Sequence, residues 1–222
     1  MKINLALRNA FLAMAALALF GAASANAATA MPPASATAPA PATAQSASAV
    51  VRGFYAQLTS TLKQGAKLGF AGRYKKLEPA IRAAFDLPLM TKMSVGASWD
   101  SASLQEKAAL VAAFSDFSIA TYASRFAQDD GETFTVKGEK ASPSGGMMVD
   151  TVLKPKDGDP VSLDYLLKPD DKGQYRIVDV FMDGTISELA TRRAEFSSIA
   201  RREGIAALVN SLDQKSKQMG PS

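Results

Sequence analysis

The sequence predicts an α+β domain, in which a four-stranded antiparallel sheet packs against a helical layer. Three observations carry that expectation. Apolar residues recur at three- and four-residue steps from Val50 to Leu62 and again up to Phe126, the period falls to two between Thr133 and Met182, and helical spacing returns after Thr185.

Val50, Val51, Phe54, Tyr55, Leu58 and Leu62 share one face of a first helix, which Gly65 and then Gly69 to Gly72 should break. A second stretch, Arg73 to Phe85, carries Leu77, Ile81 and Phe85 at four-residue spacing; Pro79 means that it starts near there or kinks. Asp86 to Asp100 reads as apolar and irregular. Ser103 and Glu106 form a capping box before the strongest helix, which runs to Phe126. Its two adjacent apolar stripes, Leu110, Phe114, Phe117 and Thr121 beside Val111, Ile119, Tyr122 and Phe126, make a buried face wider than one contact requires.

Four short runs follow: Thr133 to Glu139, Met147 to Leu153, Val161 to Leu167 and Tyr175 to Met182. Connections rich in Gly, Pro, Asp and Ser separate them and are short enough to require antiparallel neighbours, so a meander is the economical arrangement. Val161, Leu163, Tyr165 and Leu167 alternate with Ser162 and Asp164, which makes one face dry, whereas the fourth run is apolar on both faces and reads as central or doubly covered. Thr185 and Glu188 form a second candidate capping box, Gly204 interrupts the helix it starts, and Ile205, Leu208, Val209 and Leu212 mark a last one.

The N-terminus has the order that export requires: basic Lys2 and Arg8, an apolar run from Ala10 to Phe20, then small residues ending in Ala25-Asn26-Ala27. That run is about half of the roughly 20 residues that span a bilayer. Residues 1–27 therefore read as a cleaved signal peptide and 28–48 as a flexible linker dominated by Ala, Pro, Thr and Ser, leaving one domain over 49–217. The net charge of +4 becomes +2 once Lys2 and Arg8 are removed, too slight a balance to imply nucleic acid. Arg192-Arg193 and Arg201-Arg202 read as solvated helix faces that allow transient membrane contact. Cys and His are absent, which removes disulfides, thiolate nucleophiles, His-containing triads and His or Cys zinc sites, and no cofactor motif is present.

The run Tyr175-Arg176-Ile177-Val178-Asp179-Val180-Phe181-Met182-Asp183-Gly184-Thr185-Ile186-Ser187, followed by Arg192-Arg193 and Glu195-Phe196-Ser197-Ser198-Ile199, resembles the MlaC/Ttg2D family. Phe85-Asp86, Met90, Met93, Gly96, Trp99, Gln105, Phe114 and Thr121-Tyr122 fit the helical half of that family, and Asp183 to Arg193 is phrased more like its hopanoid-associated, HpnM-like branch. The resemblance implies a periplasmic carrier that holds a phospholipid or a hopanoid in an apolar cavity. Its implied partner is an inner-membrane lipid transporter of the MCE/ABC type, or a hopanoid exporter, and a monomer is expected.

The candidate cavity wall takes Phe114, Phe117, Thr121 and Tyr122 from the long helix and Val149, Leu163, Tyr165, Ile177 and Phe181 from the sheet. The sheet face is chosen by alternation alone, so Val152, Val178, Val180 and Met182 form the substitute set. Met90, Met93, Met147, Met148 and Met182 are flexible gap fillers suited to tails of variable length, and each also reads as ordinary core filler. Two rival readings stand. An enzyme of the NTF2-like kind would use Asp179 as a base beside Tyr175 in an apolar pocket, and a scaffold module would meet a protein with the same apolar surface.

Overall fold

The computed structural model describes residues 45–220, so the expected signal peptide and most of the linker lie outside the described residues. Helix α1 (Ala47–Leu62) starts just inside the stretch read as linker, because the Ser46 side chain accepts a hydrogen bond from the Ala49 amide. Helix α2 (Gly65–Ala84) is longer than the sequence suggested and takes its kink at Gly69, whose φ of 62° is left-handed, while Pro79 lies inside it. Gly65 has a packing reason as well: a Cβ there would stand 2.2 Å from the Ala127 carbonyl oxygen. The buried Arg73 clasps the same junction, donating to the carbonyls of Ala123 and Gly65 at 2.7 and 2.9 Å.

The segment expected to be irregular contains two helices, α3 (Leu87–Val95) and α4 (Ser98–Ser101). Asp86 caps α3 through the Leu89 amide, Pro88 sits in its first turn, and Gly96 closes it with a positive φ. Short length and methionine or leucine residues on more than one side hid these signals from a periodicity argument. Helix α5 (Leu104–Arg125) carries the expected Ser103–Glu106 capping box in full.

Strands β1 (Thr133–Ala141), β2 (Met147–Lys154), β3 (Val161–Pro169) and β4 (Tyr175–Met182) form the expected antiparallel meander, and a two-residue β5 (Ile186–Ser187) adds a fifth strand, so the sheet is ordered β1 to β5. That addition displaces the second capping box. Thr185 belongs to the turn after Asp183-Gly184, and Ser187 caps α6 (Glu188–Glu203) through the Ala190 amide. Helix α7 (Ile205–Met219) follows Gly204.

Helices α5, α6 and α7 pack together around Phe114, Phe117, Phe196, Leu208 and Leu212, all buried. Helices α1, α2, α3 and α6 meet the sheet. Strand β4 is next to the short fifth strand and is covered by helices, so its two apolar faces reflect cover more than a central place in the sheet. The buried Asp179 carboxylate joins the sheet to α6: it accepts from Ser187 Oγ at 2.6 Å and from the amides of Leu189 and Val180 at 3.0 and 2.8 Å. Burial nevertheless outweighs these donors and raises its pKa above the ordinary aspartate value.

A carboxyl with a raised folded pKa binds more protons folded than unfolded, so its contribution is full below the unfolded pKa and is lost as pH rises through the folded one. Denaturant titrations across pH are expected to show wild-type losing stability, relative to Asp179→Asn, over the interval just above the ordinary aspartate pKa. Parallel pH profiles for the two proteins would contradict this assignment.

Candidate functional site

Strand register decides which sheet residues face the helices. Val149 pairs with Tyr165, Tyr165 with Val180, and Leu163 with Met182, so these side chains share the inner face. A register shift between Leu166 and Leu167 inserts one extra residue in β4, placing Ile177 opposite Leu167 but Asp179 opposite Leu166 and Phe181 opposite Asp164. Ile177 and Phe181, grouped by strict alternation, therefore lie on opposite faces. Val180 and Met182 of the substitute set join the inner face, while Val152, paired with Ser162, does not.

Between that face and the helices lies a chain of aromatic rings. Phe54 meets Phe85 and Tyr122 edge-on with centroids 5.2 and 5.4 Å apart, and Tyr122 stacks on Phe126 at 5.8 Å. Phe126 meets Phe134 at 5.9 Å, Phe134 meets Tyr55 at 4.8 Å, and Tyr55 meets Tyr165 of the sheet at 5.7 Å. The Thr151 hydroxyl hydrogen goes to the Leu163 carbonyl, so Tyr55 is the donor in its 2.6 Å bond to Thr151 Oγ1. Burial pushes the Tyr55 phenol up to about 12 and raises the phenols of Tyr122 and Tyr165 as well. These hydroxyls are neutral at any physiological pH.

Rings occupy this layer, where the resemblance implies an apolar cavity. In its place is an apolar pocket of about 40 Å³ beneath α2, α3, α5 and α6, whose wall includes Ile81, Phe85, Met90, Tyr122, Phe126 and Val180. Drug-sized ligands fill roughly 300–1,000 Å³, so the pocket as it stands is far too small to hold one. A more polar hollow of about 440 Å³ between α1, α2 and the β3–β4 turn has Phe54 and Ala84 in its wall. Phe54 thus touches that hollow and also packs on Phe85 and Tyr122 of the pocket.

Of the residues singled out by sequence, Thr121 and Tyr122 line the pocket, and Val149, Leu163, Tyr165 and Ile177 are buried on the inner sheet face. Phe114 and Phe117 lie deeper among the helices, where both meet Phe196 edge-on at 6.3 and 6.1 Å. The polar end of the pocket was missed. Arg125, Glu188 and Arg192 line it, and Arg192, read from sequence as a solvated helix face, is 7% exposed. Its Nε and Nη2 donate to Glu188 Oε1 at 3.1 and 2.8 Å, and the guanidinium lies 4.8 Å from the Phe117 ring centre and 5.6 Å from that of Phe114. The four-residue spacing of Glu188 and Arg192 was a readable signal for the ion pair, though not for its burial. Asp179 faces away from this pocket with its carboxylate held by three donors, an arrangement that anchors α6. Among the described residues no acidic group is arranged to hold a metal ion, and no helix is long and apolar enough to cross a membrane.

A helix-covered antiparallel sheet with an aromatic-filled interlayer defines an α+β fold shared with a known structure. The phospholipid-binding protein from Ralstonia solanacearum, solved in complex with a phospholipid, superposes with a TM-score of 0.68 at 23% identity, covering 79% of this chain and 99% of that one. Residues 53–214 match the MlaC protein family, and the chain belongs to it. No curated protein matches the sequence.

The ring at the partition generates a mutational test. Phe54→Ala removes a buried ring that meets Phe85, Tyr122 and Tyr55, and is expected to cost about 3–5 kcal/mol of unfolding free energy by urea titration. A loss below about 1 kcal/mol would mean that the neighbouring rings collapse into the space and that Phe54 is no partition.

Proposed function

We propose that this chain is a periplasmic lipid carrier, made with a signal peptide cleaved near Ala27. It binds a phospholipid or hopanoid between the sheet and the helices and exchanges it, as a monomer, with an inner-membrane lipid transporter. The observation that carries the reading is the apolar, ring-filled layer in a member of the MlaC family, whose fold is shared with a protein solved with phospholipid bound. The same support favours a binding protein over an enzyme.

The physical requirement is severe. A two-tailed lipid has on the order of 30 methylenes, worth about 0.8 kcal/mol each on transfer from water, so the carrier must offer nearly as much apolar contact as the bilayer does. Here that contact comes from opening the ring layer. Rings are flat and turn about two side-chain torsions, so Phe54, Phe85 and Tyr122 can swing aside without breaking the backbone ladder, joining the small pocket to the outer hollow. The tails then lie against Thr121, Tyr122, Val149, Leu163, Tyr165 and Ile177, with Val180 and Met182 completing the sheet side and Phe114 and Phe117 backing the far wall. Phe181, on the opposite sheet face, is left out of the wall.

Native mass spectrometry of the protein purified from cells without detergent, followed by extraction, tests this directly. The expected result is a discrete adduct with the mass of one lipid. A bare mass, or a protein oligomer without lipid, would favour the scaffold reading and end the carrier proposal.

A further inference from the structure

The pocket that admits hydrocarbon ends in charge. Arg192 Nη1 is buried and has no hydrogen-bond partner among the described residues, while the other two nitrogens of the same guanidinium are held by Glu188. Buried donors left unpaired are uncommon and costly, more so on a cation, and the group lies in the pocket wall. Arg125 lines the same pocket, and its pKa is lowered by burial and by Arg192 while Glu188 opposes the shift, so the three groups feel one another.

We propose that Arg192 Nη1, supported by Arg125 and kept in place by Glu188 and the rings of Phe114 and Phe117, receives the phosphate oxygen of a phosphodiester lipid whose tails enter the apolar pocket. The inference rests on the carrier reading and deepens it, because it selects among cargos. A phosphodiester carries a negative charge, and its unesterified oxygens accept hydrogen bonds from guanidinium donors such as the unpaired Arg192 Nη1. An uncharged polyol or sterol-like lipid offers no anion and leaves Nη1 unpaired. Asp179, the other carboxylate nearby, does not compete for Nη1, since its oxygens are occupied by Ser187 and two backbone amides.

The test compares lipids with identical tails. Lipid-stripped mature protein is equilibrated with dioleoylphosphatidylglycerol or dioleoylglycerol in uncharged sugar-detergent micelles, and retained lipid is counted by native mass spectrometry, with inorganic phosphate as a separate arm read by thermal unfolding. A hydrogen-bonded charged contact predicts at least about tenfold preference for the phosphodiester. The double variant Arg192→Met/Glu188→Gln, which removes both charges together, is expected to hold both lipids equally. Arg192→Lys, which keeps the charge and loses Nη1, is expected to lose most of the preference and guards against a double variant that fails to fold.

Equal retention of the two lipids by wild-type, or an undiminished preference in a folded variant, would overturn the head-group assignment while leaving the carrier reading intact. Retention of neither lipid would end both. Stabilisation by inorganic phosphate that depends on Arg192, without any lipid preference, would make this a free-anion site and overturn the lipid assignment.

Discussion

The packing of rings between the sheet and the helices is the constraint on which the rest of the molecule depends. Seven aromatic side chains, Phe54, Tyr55, Phe85, Tyr122, Phe126, Phe134 and Tyr165, touch in sequence and join α1, α2, α5, β1 and β3. Each such pair adds about 0.5–1.5 kcal/mol beyond the area it buries. Branched aliphatic residues would interlock more tightly and leave no path for rearrangement. Rings can turn as plates, and a ring that swings away from its aromatic neighbour packs against hydrocarbon instead. In the proposed carrier, exchange with a membrane would need only a small net free energy, because the lipid would leave one apolar environment for another.

Around this adaptable layer the polar groups are fixed. Asp179 holds the first turn of α6 to β4, Arg73 ties the start of α2 to the end of α5, and the Tyr55–Thr151–Leu163 relay pins α1 to β2 and β3. These bonds fix the elements that carry the ring layer relative to one another. The Glu188–Arg192 pair belongs to the same frame but keeps one donor unspent.

Much of the architecture was legible in the residues. Period two from Thr133 to Met182, punctuated by Ser142-Pro143-Ser144-Gly145-Gly146 and Pro169-Asp170-Asp171-Lys172-Gly173, located four strands, and the Ser103–Glu106 box located α5. Alternation failed in β4 because one inserted residue reverses every side chain beyond it, and nothing in Ile177-Val178-Asp179 announces a bulge. The short α3 and β5 depend on local caps and on a strand partner, which periodicity does not register. Arg192 was misread because an arginine on a helix is ordinarily solvated; only the three-dimensional approach of Phe114 and Phe117 from α5 buries it. The cavity itself was implied by the family resemblance, and apolar content cannot distinguish a hollow from rings that fill one.

Whether hydrocarbon displaces those rings can be seen in a crystal structure of the protein loaded with a phospholipid that carries bromine along one tail. The expected anomalous peak lies between Tyr122 and Val180, with Phe54 and Phe85 turned away from their present edge-on contact. Bromine on the outer surface, beside a ring layer packed as it is here, would contradict the carrier.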